Sequence, residues 1–401
     1  MRPSSARGWI LHRSGWLPPI VLWVAVPASA EPPPQLGSEL DPWTLTVELR
    51  IGVPSDPVEL TEVGRLEVDP EGRVYVSQPR DARVLRFDTD GTPLPALGRR
   101  GDGPEEFRLP TNLGWKQDTL WVLDSAARRV TFFHDGRVTR TLRVPEAPPE
   151  LEVGSAFPVG FPEEEVLLVA RSLGEPGVGT APSSGVLFRT DDQARRFHEL
   201  ASIHIRERPR LETPGGSTVM LAHQPFDDST LLQAAPDGSA VVLVERPAPE
   251  RPEEAVLLVT KLRAEGDTVY RRPVRTRAVR VTERAVEAAI SLPEGPLVDR
   301  YPSPAQALRA LREAVFVPVF HPPVTDLAVG RDGSVWLRRE DTGDPSVPWT
   351  VLDPRGELLA EVEAPAALRI FQVDGSVVWG VETDELGVPT VVKLRITREE
   401  T

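Results

Sequence analysis

Arg83, Arg99, Arg100 and Arg128, with Asp102, Asn112, Trp115 and Asp124, are the residues of this 401-residue chain whose types and spacing could hold a ligand. Arginine forks receive carboxylates at two points, and an exposed indole stacks on a sugar or a peptide side chain. The oxygens of Asn112, Asp124 and Asp326, placed near strand ends, could coordinate a hard cation such as calcium. The same residues have a plainer reading, in which arginines of an acidic protein make local ion pairs and carboxylates solvate turns.

The loop LGRRGDGPEEF, residues 97–107, could cradle an anion with its backbone N–H groups. It leads into a strand pattern rather than a helix and lacks the lysine of a phosphate loop. We therefore read it as a glycine-rich crossing between strands. Its Arg100-Gly101-Asp102 resembles an adhesion tripeptide, which chance and turn chemistry explain better. His134, His198, His204, His223 and His321 are scattered without zinc-ligand spacing. There is no G-x-S-x-G elbow, and the chain has no cysteine to act as a nucleophile. No cofactor is called for by the sequence, calcium being the one compatible with these oxygens.

The elements that position these residues come from a repeat. Shifted by 46 positions, the stretch around LEVDPEGRVYVSQPRDARVLRF lands on itself: Tyr75 on Trp121, Arg83 on Arg129, Val84 on Val130 and Phe87 on Phe133. Shifted back by the same 46, Gly98 falls on Gly52. The turn before the second apolar run returns in PEEEVLLVA, PDGSAVVLV, RDGSVWLRR and VDGSVVWGV, which brings the count to six units. A period of 40–50 residues with several short strands in each copy belongs to propellers. The reading is an all-β, six-bladed β-propeller of four-stranded antiparallel blades. The last unit lacks a fourth strand, and WTLTVELRIG, residues 43–52, supplies one, so the N-terminal strand is expected to close the ring. On that reading Trp115, Trp121, Trp336 and Trp379 pack mainly between blades.

The run from Leu66 to Trp115 resembles an NHL repeat. Gly98, Gly101, Gly103, Pro104, Phe107 and Pro110 match its glycine-rich part, Asp69, Gly72, Val74, Tyr75 and Val76 its second strand, and Arg83, Val84, Phe87, Asp88 and Gly91 its third. The first two units match closely and the third and fourth depart from the pattern. The resemblance implies the fold of exported bacterial six-bladed propellers and a habit of binding ligands. It also implies kinship with lactonases and lyases that hold calcium or zinc in the central channel.

Residues 1–30 carry Arg2, Arg7 and Arg13, a short apolar run and Ala28-Ser29-Ala30, the pattern of a secretory signal with cleavage after Ala30. The apolar run is too short to span a bilayer, so no membrane span is expected after cleavage. The product, 31–401, is expected in the periplasm or outside the cell, as a monomer. Without the leader, 43 basic side chains face 60 acidic ones. That balance excludes nucleic acid, whose binding depends on Lys and Arg neutralising phosphates.

Two insertions interrupt the repeat, at 204–229 and at 278–324. The second reads as partly helical: Ser303 caps a helix whose first residue is Pro304, with Gln306 as its capping-box partner, and a shorter helix covers Arg284 to Ile290. Long ordered loops on a propeller face are where ligands bind, and harmless elaboration of one edge is the equal alternative. The leading function is thus a non-catalytic scaffold presenting its loops to a protein or small-molecule ligand. The rival is a calcium- or zinc-dependent hydrolase or lyase in the central channel, and a purely structural envelope component is a third reading.

Overall fold

Tight turns cut the chain into strands. Asp69 O accepts the Gly72 N–H at 3.0 Å and Asp88 O that of Gly91 at 2.9 Å, so each D-x-x-G stretch reverses the chain within four residues. The computed structural model describes residues 41–398 except 164, 173–181, 222, 291–299 and 341–343. The chain divides into two units, Met1–Pro32 and Pro33–Thr401. The leader and its cleavage after Ala30 lie outside the described residues.

In chain order the first strand is β1 (Asp41–Ile51). One sheet then holds β2 (Leu66–Val68), β3 (Val74–Gln78), β4 (Arg83–Phe87) and β5 (Pro93–Leu97). The next holds β6 (Pro110–Lys116), β7 (Thr119–Asp124), β8 (Arg129–His134) and β9 (Arg137–Arg143). A third comprises β10 (Val153–Gly160), β11 (Glu165–Ser172), β12 (Pro182–Asp191) and β13 (Phe197–Arg206). After a two-stranded hairpin, β14 (Arg210–Glu212) and β15 (Thr218–Met220), comes a fourth sheet of β16 (Leu231–Ala234), β17 (Ala240–Glu245), β18 (Val256–Arg263) and β19 (Thr268–Arg275). All four are antiparallel meanders in a propeller-like arrangement. Middle strands lie between apolar neighbours on both faces, which is why β3 and the AVVLV run of β17 are buried at every position.

Six separate sheets are expected from the repeat, and four stand apart among the described residues. The other eight strands form one sheet. It contains β20 (Val324–Val329), β21 (Val335–Arg339), β22 (Ser346–Leu352), β23 (Leu358–Pro365), β24 (Leu368–Asp374), β25 (Val377–Thr383) and β26 (Pro389–Arg398), with β1 between β23 and β26. The join is local. β1 runs antiparallel to β26 from Trp43 opposite Arg398 to Ile51 opposite Val391. Only its first residues, Asp41 to Trp43, also run parallel beside Ala360 to Val362 of β23.

The 46-residue shift has a structural basis at Gly98 and Gly52. Both have positive φ, +75° and +88°, and both sit beneath an apolar side chain of the following loop. A Cβ on Gly52 would lie 2.6 Å from Leu60 Cγ, and one on Gly98 would run into the buried Phe107 ring. Only glycine combines that backbone conformation with so close an approach.

The helical insertion contains α1 (Glu283–Ala289) and α2 (Pro304–Ala314). The Ser303 hydroxyl accepts the Gln306 N–H at 3.4 Å and Pro304 opens α2. Helix α1 begins one residue earlier than the sequence indicates, because the Thr282 hydroxyl caps it by accepting from Ala285 N at 3.2 Å. Among the described residues no helix is long and apolar enough to cross a membrane.

Candidate functional site

The two insertions leave from equivalent places, each between the outer strand of one sheet and the inner strand of the next, and they meet. Leu211 and Phe226 of the first pack with Ile290, Leu311, Ala314 and Val315 of the second in one buried apolar cluster. The Tyr301 hydroxyl donates to Glu212 O at 3.1 Å across the same junction. The first insertion is pinned at its base. Arg206 N donates to Ser229 Oγ at 2.8 Å, and Thr230 N to His204 O at 2.9 Å. Asp228, 3% exposed, takes Arg206 at both carboxylate oxygens and lies 3.1 Å from His204 Nε2. Burial alone would raise the Asp228 pKa, but the hydrogen bonds from His204 and Arg206 outweigh it and hold the carboxyl well below the usual carboxylate range. The Arg206 guanidinium also lies 3.8 Å from the centre of the Phe316 ring, tying the second insertion to the same base.

Beneath this cap is a cleft of about 800 Å³ between Phe226, the segment leading into α1, and the ends of β17, β20 and β21. A second lobe of about 540 Å³ shares Val279, Arg280, His321, Pro322 and Glu340 with it. These volumes fall in the range of small-molecule sites. On the floor, His321 Nδ1 is 3.0 Å from Glu340 Oε1, with both side chains largely buried. Phe226 meets the imidazole edge-on, its centre 5.5 Å away. Arg246, 5% exposed, donates to Ser229 O at 2.9 Å and Val324 O at 3.0 Å. Burial pushes its pKa down against the attraction of Asp227, Asp228, Asp326 and Glu340.

Arg246 and Glu340 each stand one residue past the second strand of their sheets. In the first two sheets the last residue of that strand, Gln78 or Asp124, is completely buried and holds the incoming loop. Gln78 Oε1 accepts from Thr61 N at 2.9 Å. Asp124 accepts from Arg108 N at 2.7 Å, Leu109 N at 3.0 Å and Ala127 N at 3.0 Å. Where a short loop arrives, this end of the strand ties it down; where a long insertion arrives, it forms the floor of a cleft.

The residues singled out from the sequence lie elsewhere, around the first two sheets, mostly in local partnerships. Arg83 pairs with Asp81 at 3.3 Å, Arg99 with Glu106 at 3.0 Å, and Asp102 with Arg108, while Arg100 donates to Arg80 O. Arg128 adopts a positive φ of 48° and its carbonyl accepts from Val144 N at 2.9 Å. Asn112 and Trp115 do come together, at a cavity of about 100 Å³ that the inner strands β2, β6, β10 and β16 line with Arg65, Glu67 and Gln233. Trp115 stacks edge-on against Tyr75 at 5.1 Å. Glu67, 4% exposed, has its pKa raised by burial against the opposing pull of Arg65 and Arg331, and Arg65 Nη2 bonds it at 2.7 Å. Of the three oxygen donors considered for calcium, Asn112 and Asp326 each cap their own following N–H, at 3.0 and 2.9 Å, and Asp124 is the loop holder already described. Among the described residues no three His, Asp or Glu side chains are grouped to hold a metal ion.

No family model matches the chain, and no curated protein matches it. Among solved structures it is similar to virginiamycin B lyase from Staphylococcus aureus, with 11% identity over 88% of this chain and 100% of that one, at a TM-score of 0.41. It is similar to a member of the DUF4221 family from Bacteroides vulgatus, with 10% identity over 90% and 100%, TM-score 0.49. It is also similar to regucalcin, a calcium-binding protein from Agrobacterium tumefaciens, with 11% identity over 88% and 96%, TM-score 0.40. None of these likenesses assigns a role to a residue of this chain.

In the cleft the imidazole of His321 is held by a carboxylate; of the two threonine hydroxyls in the lining, Thr325 Oγ1 donates to Arg339 O at 3.3 Å and Thr282 Oγ1 accepts from Ala285 N at 3.2 Å. In LVER and LRRE a charged residue, Arg246 or Glu340, stands one place past the second strand, whereas Gln78 and Asp124 are the last residues of theirs.

Proposed function

We propose that the chain is an exported, non-catalytic binding scaffold on a closed six-bladed β-propeller of the NHL kind, which takes a small molecule in the cleft beneath its two insertions. The pattern of residues 1–30 supports export. The six-bladed ring is supported by β1 serving as a fourth strand beside β26. It is also supported by the apolar cluster that joins Leu66, Val74 and Phe87 to Trp379 and Val391. On this reading β20–β23 and β24–β26 with β1 are two blades, the monomer is complete in itself, and no cofactor is required.

The observation that carries the binding reading is the shared core of the two insertions. Segments starting more than 70 residues apart, at 204 and 278, share one apolar cluster and enclose one cleft. Loops that only elaborate an edge have no reason to build a common core with a polar floor beneath it. A channel enzyme would need carboxylates free to ligate or react, and Glu67, the carboxylate at the inner-strand cavity, is bonded to Arg65.

The test is titration calorimetry of the mature chain with octanoate, octan-1-ol and octylamine, repeated on an Ala285→Trp/Ala288→Trp chain. Both alanines line the cleft from α1, so two indoles fill it without touching the propeller. At least one probe is expected to bind the native chain and to lose its binding in the filled one. Equal binding by both chains, or none by either, overturns the reading.

A further inference from the structure

We infer that the ligand of this cleft is an organic carboxylate with an apolar body, an inference that rests on the cleft being the binding site. The chain as a whole is acidic, with a formal charge of −14. The larger lobe runs against that balance, with Arg246, Arg280 and Arg284 in its lining against Asp227 and Glu340.

The two carboxylates are engaged. Glu340 faces His321 at 3.0 Å, and Asp227 accepts from Ser229 N at 2.9 Å. The arginines of the wall are not. Arg280 and Arg284 are exposed and, among the described residues, neither pairs with a carboxylate; Arg277 in the second lobe is in the same condition. The Arg280 guanidinium lies over the Phe320 ring, 5.9 Å from its centre.

The floor adds a second, independent observation. Arg246 is buried, its hydrogen bonds go to neutral carbonyls, and of the four carboxylates that attract it the nearest, Asp227, is a long ion pair at 4.0 Å. A guanidinium removed from water is stabilised by an anion in close contact, and here the open cleft lies beside it. Between floor and wall the lining is apolar, formed by Phe226, Val279, Ala285 and Ala288. A carboxylate on the wall arginines, in the field of Arg246, would lay an aliphatic or aromatic body along those side chains. An amine would meet three guanidinium groups, and a neutral alcohol would leave them unpaired.

The same three probes decide this. The native chain is expected to bind octanoate at least tenfold more tightly than octan-1-ol or octylamine, less so as salt is raised. In an Arg280→Glu/Arg284→Glu chain, octanoate affinity should fall at least tenfold, while octylamine should gain. Both side chains are exposed, so the thermal unfolding profile of that chain should match the native one; Arg280→Lys/Arg284→Lys, which keeps the charge, should retain most of the octanoate affinity. If octan-1-ol or octylamine binds as tightly as octanoate, or charge reversal leaves octanoate unaffected, the anion assignment falls and the cleft stands. If no probe binds, both fall.

Discussion

Arg206 grips Asp228 at two points, Nε to Oδ1 at 2.9 Å and Nη2 to Oδ2 at 2.9 Å, and this pair closes the base of the first insertion. Both side chains are at least nine-tenths buried. Removing one partner of a buried pair leaves the other charge out of water without its counter-ion, at a cost of about 3–5 kcal/mol. Asp228→Asn should lower stability by that order at neutral pH. The depressed pKa of Asp228 fixes the pH dependence. Its stabilisation is present above the ordinary carboxylate value of 3.8 and is lost as pH falls through the lower folded value. Denaturant midpoints of the two chains should therefore lie far apart at pH 7 and converge below pH 3.8. A gap that stays constant with pH would sink this account.

Gly98 gives a sharper test of why the glycine-rich loop exists. If LGRRGDGPEEF is a strand crossing, its critical feature is the +75° φ of Gly98 beneath Phe107, and its arginines matter little. Gly98→Ala should cost about 1–3 kcal/mol, from backbone strain and from displacement of a buried ring. Arg99→Ala, an exposed side chain with one surface ion pair, should change stability by less than about 0.5 kcal/mol. Urea unfolding of both variants measures it, and the reverse order would restore a ligand-cradling role to the loop.

Glu340 offers a test inside the cleft. Its carboxylate is the negative charge nearest His321, so Glu340→Gln keeps the shape of the floor while removing a charge that repels an anionic ligand. A unit charge several ångströms from the ligand in a partly wet site is worth about 0.5–1 kcal/mol. Octanoate should therefore bind about two- to fivefold more tightly to Glu340→Gln than to the native chain. Weaker binding would mean that the His321–Glu340 pair itself orients the ligand.

The strands and turns of the propeller-like fold are legible in the sequence because each rests on a few adjacent residues. A D-x-x-G turn, a run such as AVVLV, or a glycine beneath an aromatic is local chemistry, and it repeats when the unit repeats. Even Thr282, the overlooked cap of α1, moved that helix by one residue only. The cleft is a different kind of object. It exists because Phe226 and Leu211 meet Ile290 and Leu311, residues brought together by the whole propeller, and no local pattern records that meeting. Asp124 shows the converse. A carboxylate at a strand end reads in the sequence as a solvated turn residue in preference to a hard-cation ligand, and in the fold it is taken up by three backbone N–H groups of its own loops. The fused sheet was not legible because the parallel contact of Asp41 to Trp43 with β23 depends on where the N-terminal strand happens to start.

That strand is the part of the architecture most open to attack. Trp43 is 7% exposed, its ring centre is 6.1 Å from that of Trp336, and the Arg398 guanidinium lies 4.4 Å from the centre of the indole. Loss of a buried indole costs about 3–5 kcal/mol, so Trp43→Ala should weaken the chain by that order. Deleting residues 31–52 from the mature chain is more severe, because it leaves β26 with an unpaired edge ten residues long. Open edges of this kind pair with other chains, and with no cysteine in the sequence no disulfide holds the ends in place. The truncated chain should therefore elute as oligomers under light scattering and be cut by protease first within β24–β26. Under the proposed cleavage after Ala30 β1 stays whole, ten residues from the new terminus, so a chain starting at Glu31 should stay monomeric and resistant under the same conditions. A truncated chain that remains monomeric and equally resistant would overturn the proposal that β1 closes the propeller.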